Sequence, residues 1–441
     1  MTTKARVAIV GTGSRAQLFT EGLARREHIE VAAFCDPNRV RMAHHNRLLA
    51  AAGRRPARTG GPEDFADLLR SERVDTVVVT TVDALHDVYT VPALRAGCRV
   101  VSEKPMTTDA ERCRRILDTV EETAGDLSVA FNYRFNPVHE LVRRELHGGA
   151  IGDVLSVHFE WLLDVRHGAD YFRRWHREKA NSGGLMVHKA GHHFDLVNWW
   201  LGARPERVFA LGRLGFYGRA NGERTGYRRD YDRAHGSPAA AADPFALHLE
   251  DNEGLRALYL EAEREDGYHR DRNVFGDGIT IEDDMAVLVR YATGASMSYH
   301  LTAYSPWEGY RVMFNGTGGR LELEVEESAW QRPRAGLTSA KGAVHGDTAL
   351  ENAGGARILV RPLWQPPREV EIPEFDHAGH GGGDARMMRA LFDGEAAGEA
   401  AGGAPIAGHV DGALALAVGL AANTAFTGGE AVDIDDVVRV K

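Results

Sequence analysis

The 441-residue sequence has few cysteines, no excess of positive charge and no long apolar run. Its three cysteines, Cys35, Cys98 and Cys113, are an odd number in a long chain, which favours reduced thiols over a disulfide framework. A formal net charge of −10 leaves no basic stripe for nucleic acid, so a small-molecule partner is expected. An apolar strand is predicted close to the first residue, so no secretory leader is expected, and no apolar run approaches a bilayer span. These absences predict a cytoplasmic protein with neither a membrane nor a nucleic-acid partner.

Lysine is also scarce, because six lysines stand among 53 basic residues and the rest are arginines. A codon bias toward arginine accounts for this imbalance. A lysine in such a chain can nevertheless be retained because it can lose its proton, which arginine cannot do. Lys104 and Lys189, which lie in the motifs described below, are therefore of interest.

From residue 5 to about 134, short β-branched runs alternate with helical stretches. The runs are 6–10, 29–35, 74–80, 98–102 and 127–131, and the helical stretches lie around 15–26, 38–52, 62–71, 84–96 and 109–124. This alternation is typical of a doubly wound parallel sheet. We therefore predict an N-terminal α/β domain over residues 1–134.

After a predicted helix at 137–147, longer alternating runs predict a second domain over 135–441 with a large, open and mostly antiparallel sheet. The runs are 153–163, 204–214, 281–291, 295–304, 308–315 and 320–327, with helices predicted at 185–201 and near 409–426. Residues 216–278 interrupt this pattern with a polar insertion, which we expect to be a lid, an arm to a neighbouring subunit or partly disordered. Small-residue linkers are predicted at 332–355 and 395–405.

A GxGxxA motif lies between the first strand and the first helix, an arrangement that admits a dinucleotide. Its glycines permit a tight turn, and the helix N-terminus can receive a pyrophosphate. The expected contacts are Gly11, Gly13, Ser14, Arg15 and Ala16. Asp36 follows the second strand, where a carboxylate accepts hydrogen bonds from ribose hydroxyls and repels a 2′-phosphate. NAD is therefore favoured over NADP, although the nearby Arg39 keeps NADP open.

Residues 183–195 concentrate three histidines, a lysine and a carboxylate. His188, His192 and Asp195 recur at i, i+4 and i+7, which places them on one stripe of the predicted helix, opposite a packing face. The spacing of the two histidines would suit zinc, but Asp195 is the sole convincing further ligand, so no metal is predicted. Lys189 and His193 are either substrate contacts or solvated and interdomain residues.

Together with Val100–Pro105, which carries a Glu-Lys-Pro sequence after the fifth strand, these motifs resemble the Gfo/Idh/MocA family of nicotinamide-dependent oxidoreductases over nearly the whole chain. The resemblance implies an N-terminal Rossmann domain and a C-terminal α/β domain whose open sheet often forms the interface of a homo-oligomer, here a dimer or tetramer. It places Lys104 beside the nicotinamide and the reacting hydroxyl. It also implies further cofactor contacts from Thr80, His86, Glu103 and Trp175.

One position departs from the family pattern Gly-Gly-x-x-x-Asp-x-Gly-x-His-x-x-Asp. His192 and Asp195 match it, whereas His188 stands where the first aspartate is usual. Two adjacent imidazoles resist carrying two charges, so at least one is expected to be neutral at pH 7 and able to accept a hydroxyl proton. Lys104, His192 and His188 are therefore the predicted catalytic residues.

The resulting prediction is hydride transfer to NAD from a ring hydroxyl carbon of a sugar, glycoside or cyclitol bound between the domains. The predicted substrate contacts are Tyr133, Arg134, Asp164, Arg166, Tyr171, His176, Lys189 and His193. The alternative is an NAD-dependent glycoside hydrolase that oxidises a ring hydroxyl, eliminates the aglycone, adds water and returns the hydride. A catalytically silent NAD-binding sensor is disfavoured, because Lys104 and His192 are both present.

Overall fold

The computed structural model describes residues 4–330, 354–374, 381–394 and 405–440. Its strands are β1 Ala5–Val10, β2 Ile29–Cys35, β3 Arg58–Gly60, β4 Thr76–Val79, β5 Arg99–Ser102, β6 Leu127–Val129, β7 Val154–Asp164, β8 Pro205–Arg213, β9 Asp284–Tyr291, β10 Ser296–Ser305, β11 Glu308–Gly316, β12 Gly319–Ser328, β13 Ala356–Pro362, β14 Arg368–Val370, β15 Ala407–Gly408 and β16 Val432–Asp433. The helices of seven or more residues are Ser14–Ala24, Arg39–Ala51, Phe65–Ser71, His86–Arg95, Ala110–Thr123, Pro137–His147, Val165–Arg173, Ala190–Leu201, Arg219–Thr225, Gly383–Phe392 and His409–Gly428. The predicted linkers at 332–355 and 395–405 lie almost wholly outside the described residues.

The first sheet has seven strands in the order β15-β6-β5-β4-β1-β2-β3. All neighbours pair in parallel except β15, which runs antiparallel to β6. The predicted doubly wound sheet is confirmed. The short edge strand β3 was not predicted, because no apolar run marks it in the sequence. Because the chain leaves β1 toward β2 on one side and β4 on the other, a crevice opens at the carboxyl ends of these strands, where such folds bind ligands.

The central strands of this sheet are buried on both faces. Val7, Ile9, Val78 and Val100 expose at most 1% of their surface, since helices cover both sides of the sheet. Burying one such side chain stabilises the fold by about 1.5–3 kcal/mol. This two-sided burial explains why these strands appear in the sequence as nearly continuous apolar runs.

The second sheet has nine strands in the order β14-β13-β12-β11-β7-β10-β9-β8-β16. The predicted mostly antiparallel sheet is confirmed, because only the pairing of β7 with β10 is parallel among these strands. In β10, buried Met297, Tyr299 and Leu301 alternate with partly exposed residues, so one face is covered and the other is open. Helices that include Ala190–Leu201 and His409–Gly428 pack on the covered face.

The helix predicted at 185–201 is in fact two helices, Leu185–His188 and Ala190–Leu201, with Lys189 between them. The expected division into a packing face and a free polar face is wrong, since every residue from Leu185 to Val197 is buried. The reason is position: the helix Ala190–Leu201 packs on the second sheet, where Phe194 meets Tyr299, and its other side is covered by the helix His409–Gly428 and by Phe131, which meets His192. The apolar periodicity of one helix does not show whether a second layer of structure covers its polar side.

The helix His409–Gly428 is long and apolar enough to cross a membrane by length and composition, although the sequence was expected to hold no such run. About 56% of the span is buried inside the protein, and the core helix of a globular protein passes the same test. Gly419 permits its close packing, because a Cβ there would lie 2.6 Å from the carbonyl oxygen of Met186. The helix therefore packs within the fold.

The insertion 216–278, predicted from its polar composition to be a lid, an arm or partly disordered, contains small apolar clusters. One cluster comprises Leu247, Leu249, Leu255, Leu258 and Tyr259. The segment also bonds to the first domain of its own chain, where the Arg41 guanidinium lies 2.7 Å from Asp266. Leu255, Leu258 and Tyr259 recur at i, i+3 and i+4 over the helical turns Glu253–Leu255 and Arg256–Leu260, which is the spacing of a short helix with one buried side.

Candidate active site

A cleft of about 480 Å³ opens at the carboxyl edge of the first sheet. Three parts of the chain line it: loops that follow β1, β2, β4 and β5, the residues 167–192 of the second domain, and the insertion. This is the place where a doubly wound sheet presents its ligand crevice.

The glycine loop after β1 forms one end of the cleft. Gly11 has a φ of +81°, and a Cβ there would lie 2.7 Å from the backbone of Thr81, so only glycine fits. Gly13 stands at the N-cap of the helix Ser14–Ala24, whose N-terminus therefore faces the cleft. Backbone N–H groups at a helix N-terminus suit an anionic pyrophosphate. The residues present thus fit the phosphates of a dinucleotide.

Asp36 lines the same end of the cleft at the tip of β2. Its carboxylate accepts hydrogen bonds from the N–H groups of Thr12 at 2.6 Å and Asn38 at 2.7 Å, which fix its position. A carboxylate keeps further lone pairs for ribose hydroxyls. Arg39 is exposed and does not line the cleft, and Arg41 is paired with Asp266. A 2′-phosphate would therefore meet a carboxylate rather than an uncommitted arginine.

The insertion closes the outer side of this end. The hydroxyl of Tyr259 accepts a hydrogen bond of 3.2 Å from the N–H of Ser14, at the N-terminus of the glycine-loop helix. Asn38 donates to the carbonyl of Ala262 at 2.9 Å, and Arg41 Nε donates to the carbonyl of Leu258 at 3.1 Å. The insertion is therefore a wall of the cofactor cleft of its own chain.

Lys104 lies at the other end of the cleft, after β5. Its Nζ donates to the carbonyl of His188 at 3.0 Å and lies 3.4 Å from His188 Nε2. Burial lowers the pKa of Lys104 to about 8, against the pull of Asp83 and Glu103. Glu103 is itself ion-paired with Arg15. The amine can therefore gain and lose a proton close to neutral pH.

His188 reaches across the domain boundary to a carboxylate. Its Nδ1 lies 2.5 Å from Oδ2 of Asp83, in the connection between β4 and the next helix. Burial lowers the pKa of His188 well below its usual value, and the Lys104 cation lowers it further. Burial raises the pKa of Asp83, and Lys104 opposes that rise. The result is a neutral imidazole with one nitrogen held by Asp83 and the other facing Lys104, as expected for at least one of the two histidines.

Two further imidazoles line the cleft beside this pair. His192 stacks on the ring of Tyr133 with centroids 4.4 Å apart. His176 stacks on Trp175 at 3.5 Å and meets the ring of His188 edge-on at 4.2 Å. Burial, followed by the charge of Arg174, lowers the pKa of His176. The reaction end of the cleft thus holds three imidazoles, and burial lowers the pKa of two of them, His176 and His188.

The cleft brings together most of the residues that the sequence singled out. Those that line it are Gly11, Gly13, Ser14, Arg15, Asp36, Thr80, His86, Glu103, Lys104, Tyr171, Trp175, His176, His188, Lys189 and His192. Those that do not are Ala16, Tyr133, Arg134, Asp164, Arg166 and His193. Ala16 is wholly buried in the helix beneath the glycine loop, and Tyr133 stands behind Lys189, which donates to its hydroxyl at 2.9 Å.

The remaining residues outside the cleft have structural partners in place of the predicted substrate. Arg134 makes two hydrogen bonds to Asp195, of 2.8 and 2.6 Å. Asp164 caps the helix Val165–Arg173 by accepting from the N–H groups of Arg166 and His167, both at 2.9 Å. His193, the next histidine of the motif, bonds to the hydroxyl of Tyr299.

That histidine, His193, lies 2.6 Å through Nδ1 from the hydroxyl of Tyr299, and its ring stacks on Trp161 at 4.0 Å. Arg166 is half-buried beside the cap. Asp164 and Arg166 were predicted as substrate contacts because they precede the Gly-Gly helix in sequence. In the fold, that proximity directs them into the second domain instead.

Several lining residues were not found from the sequence: Asp83, Asn132, His167, Arg174, Tyr259 and Tyr268. Asp83 had a usable signal, since it stands at the carboxyl edge of β4, three residues before His86. Tyr259 and Tyr268 had none, because contact with the glycine loop bridges about 245 residues of chain. Within the described ranges, no group of three His, Cys, Asp or Glu side chains is arranged to hold a metal ion.

Comparison with known families identifies the class of protein. Residues 5–131 match the NAD-binding Rossmann fold of the Gfo/Idh/MocA oxidoreductase family, and residues 143–434 match that family's C-terminal α/β domain. The chain therefore belongs to this family of NAD(P)-dependent oxidoreductases, as the resemblance implied, and its first domain binds NAD.

The relatives span more than one named activity. The chain is 32% identical over 409 residues to YteT of Bacillus subtilis, covering 88% of this chain and 89% of YteT. It is 29% identical over 224 residues to an inositol 2-dehydrogenase of Rhizobium meliloti, covering 50% and 61%, and 23% identical over 402 residues to an α-N-acetylgalactosaminidase of Shewanella oneidensis, covering 89% and 77%. Among solved structures, the aldose-aldose oxidoreductase of Caulobacter crescentus superposes with a TM-score of 0.62 at 18% identity, covering 98% and 99%, which shows a shared fold.

Proposed function

We propose that this protein oxidises a ring hydroxyl carbon of a sugar, glycoside or cyclitol and passes the hydride to NAD. One observation carries the proposal: a single cleft holds the glycine loop and Asp36 at one end and Lys104, His188 and His192 at the other. NAD, when bound, supplies the hydride acceptor. The protein must then supply a group that accepts the hydroxyl proton.

The proton chemistry follows from the reaction end. His192 and Lys104 face the cleft and are the proposed acceptors of the hydroxyl proton. The hydroxyl proton can pass to Lys104 Nζ, which lies 3.4 Å from Nε2 of His188, and this neutral ring orients the amine because Asp83 holds it through Nδ1. The lowered pKa of Lys104, about 8, keeps this transfer reversible near neutral pH. His192, Lys104 and His188 thus keep their proposed catalytic roles, with Asp83 as a positioning residue.

The same site supports net glycoside hydrolysis as the second candidate. The observation that favours it is the pair of neutral imidazoles, His176 and His188, whose rings are in contact. Elimination of an aglycone needs a second base beside the oxidised carbon, and this pair can supply one. The match to an α-N-acetylgalactosaminidase over 89% of this chain is consistent with that chemistry. In this route the hydride returns to the substrate and no reduced cofactor accumulates.

One experiment tests the proposal and separates it from the second candidate. The protein is offered free sugars, cyclitols and aryl glycosides with NAD in deuterated water, following NADH by absorbance and carbon-bound deuterium by mass. A dehydrogenase produces one NADH per turnover without carbon-bound label. Aglycone release with label next to the oxidised carbon and no NADH favours the hydrolase. If none of these compounds gives either result, both candidate functions are contradicted.

We also propose a cytoplasmic homo-oligomer, either a dimer or a tetramer. The three cysteines are buried free thiols, which accords with a reducing compartment. The open face of the second sheet offers a surface for self-association. There Leu211 and Leu288, on adjacent strands, are 61% and 56% exposed. Association through this face would bury both leucine side chains.

A further inference from the structure

Arg174 carries a charge that the protein uses only in part. Its Nε donates to the carbonyl of Asp170 at 3.2 Å and lies 3.1 Å from Asp170 Oδ2, while its terminal nitrogens donate to no residue in the described ranges. The side chain is 19% exposed and lines the cleft beside the ring of Tyr171. Arg15 and Arg41, which also line the cleft, are by contrast ion-paired through their terminal nitrogens.

Asp170, the carboxylate that Arg174 contacts, lies close to three guanidinium groups. Asp170 is fully buried and lies within 3.4 Å of Arg173 and 2.8 Å of Arg270, in addition to Arg174. One negative charge cannot balance three guanidinium groups. Since Arg173 and Arg270 are themselves buried, the surplus positive charge is presented to the cleft through Arg174.

The surplus lies at the reaction end of the cleft. After burial, Arg174 is among the largest causes that lower the pKa values of His176 and His188, so these imidazoles are neutral at pH 7. Lys104, with a pKa of about 8, is mostly cationic there. The lining carboxylates at this end are Asp83, which is bonded to His188, and Glu103, which is ion-paired with Arg15. The described lining residues therefore leave the substrate's position with net positive charge.

We propose that the substrate carries a carboxylate, as in a uronic acid or a glycoside of one, and that the terminal nitrogens of Arg174 bind it. The inference rests on the proposed function for the sugar ring and adds the charge class. A planar guanidinium matches a planar carboxylate in a two-point hydrogen bond. The phosphate-binding element of the cleft, the helix N-terminus at Ser14, belongs to the cofactor end.

The test compares matched sugars by calorimetry on the NAD-loaded protein. D-Glucuronate and D-galacturonate are titrated against D-glucose and D-galactose, with glucose 6-phosphate as a second anion. We expect the uronates to bind about 10- to 100-fold more tightly than the neutral sugars, and more weakly as salt rises. Binding needs no turnover, so a uronate that binds without NADH or deuterium exchange overturns the proposed reaction and leaves this inference standing.

Variants show whether Arg174 is the group responsible. Arg174→Met should lose the uronate preference, Arg174→Lys should keep part of it, and Arg219→Met, which removes an exposed arginine of the insertion, should keep all of it. NAD affinity and the unfolding temperature are measured on each variant. Equal affinity for uronates and neutral sugars, tighter binding of the sugar phosphate, or an Arg174→Met variant that loses NAD affinity but keeps the uronate preference would each overturn the inference.

Discussion

At the scale of the residue, Lys104 differs from the many arginines of this chain in one property, the ability to lose its proton. Burial brings its pKa down to about 8 from 10.5, so its neutral fraction grows as pH rises through 8. Oxidation needs a proton acceptor, so the rate of oxidation should rise as pH rises through 8. The rate of the reverse reduction, which needs a proton donor, should fall over the same range.

The first prediction follows directly. Lys104→Arg should bind NAD nearly as tightly as the parent but lose about 10²- to 10⁴-fold in turnover, because arginine keeps the charge and cannot release a proton. Its remaining rate should no longer rise through pH 8. Stopped-flow rates at several pH values and fluorescence titration of NAD check both points. Parental turnover in the variant would show that the proton passes elsewhere.

A second prediction concerns Asp83, which the sequence motifs did not include. Asp83→Asn keeps a hydrogen-bonding group for His188 Nδ1 but removes the carboxyl group that fixes the ring with Nε2 toward Lys104. Turnover should fall about 10- to 100-fold with little change in KM, a typical loss for one charge-assisted hydrogen bond. Asp83→Glu should recover part of the rate. A variant that loses stability and NAD affinity instead would show a purely structural role.

At the scale of the element, the insertion 216–278 shows how a segment outside both domain patterns can complete a site. Its residues 252–268 bond to the first domain through Tyr259, Ala262 and Asp266. These contacts join elements of one chain, so neither a free lid nor an arm to another subunit is needed to explain the segment.

The third prediction tests this arrangement by hydrogen exchange. Amides in 252–268 should be protected in the resting protein and gain further protection when NAD is added, because this segment lines the proposed cofactor end of the cleft. Asp266→Asn, which removes the charge partner of Arg41, should weaken that gain, whereas the exposed turn around 226–230 should be unaffected. Fast exchange of 252–268 in every condition would contradict the assignment of this segment as a wall.

At the scale of the whole molecule, one face of the nine-stranded sheet is covered by helices and the other is open. A Cβ at Gly212 would lie 2.6 Å from the ring of Phe426 in the helix His409–Gly428, so this residue faces inward. Its neighbour Leu211 consequently points to the open side, as alternation along a strand requires.

The fourth prediction is that the open face joins copies of the chain. Leu211→Glu combined with Leu288→Glu should shift the molecular mass measured by light scattering toward that of the 48.3 kDa monomer, since buried charges oppose association. Trp364→Glu replaces a side chain that is 98% exposed at the turn between β13 and β14, at the opposite end of the strand order from β8 and β9, and serves as the control. A wild-type monomer, or an oligomer unaffected by the double variant, would exclude this interface.

The sequence by itself determined the architecture and the two ends of the site. Strand and helix alternation, the GxGxxA loop, Asp36, Lys104 and the histidine pair all act through short-range geometry: a turn, a strand end or a helix spacing that neighbouring residues dictate. The carboxyl edge of a parallel sheet then gathers such strand ends without further information, so Lys104 and the glycine loop could be placed in one cleft in advance.

Only the tertiary structure decided which side chains meet. Asp83 and His188 are 105 residues apart, and Ser14 and Tyr259 are 245 apart, so no local pattern connects them. Packing between the two domains also broke the predicted helix at Lys189, buried its polar stripe and turned Arg134, Asp164 and His193 away from the cleft toward partners in the second domain. Side-chain partners depend on the relative placement of layers, and periodicity along one element carries no information about the layer that covers it.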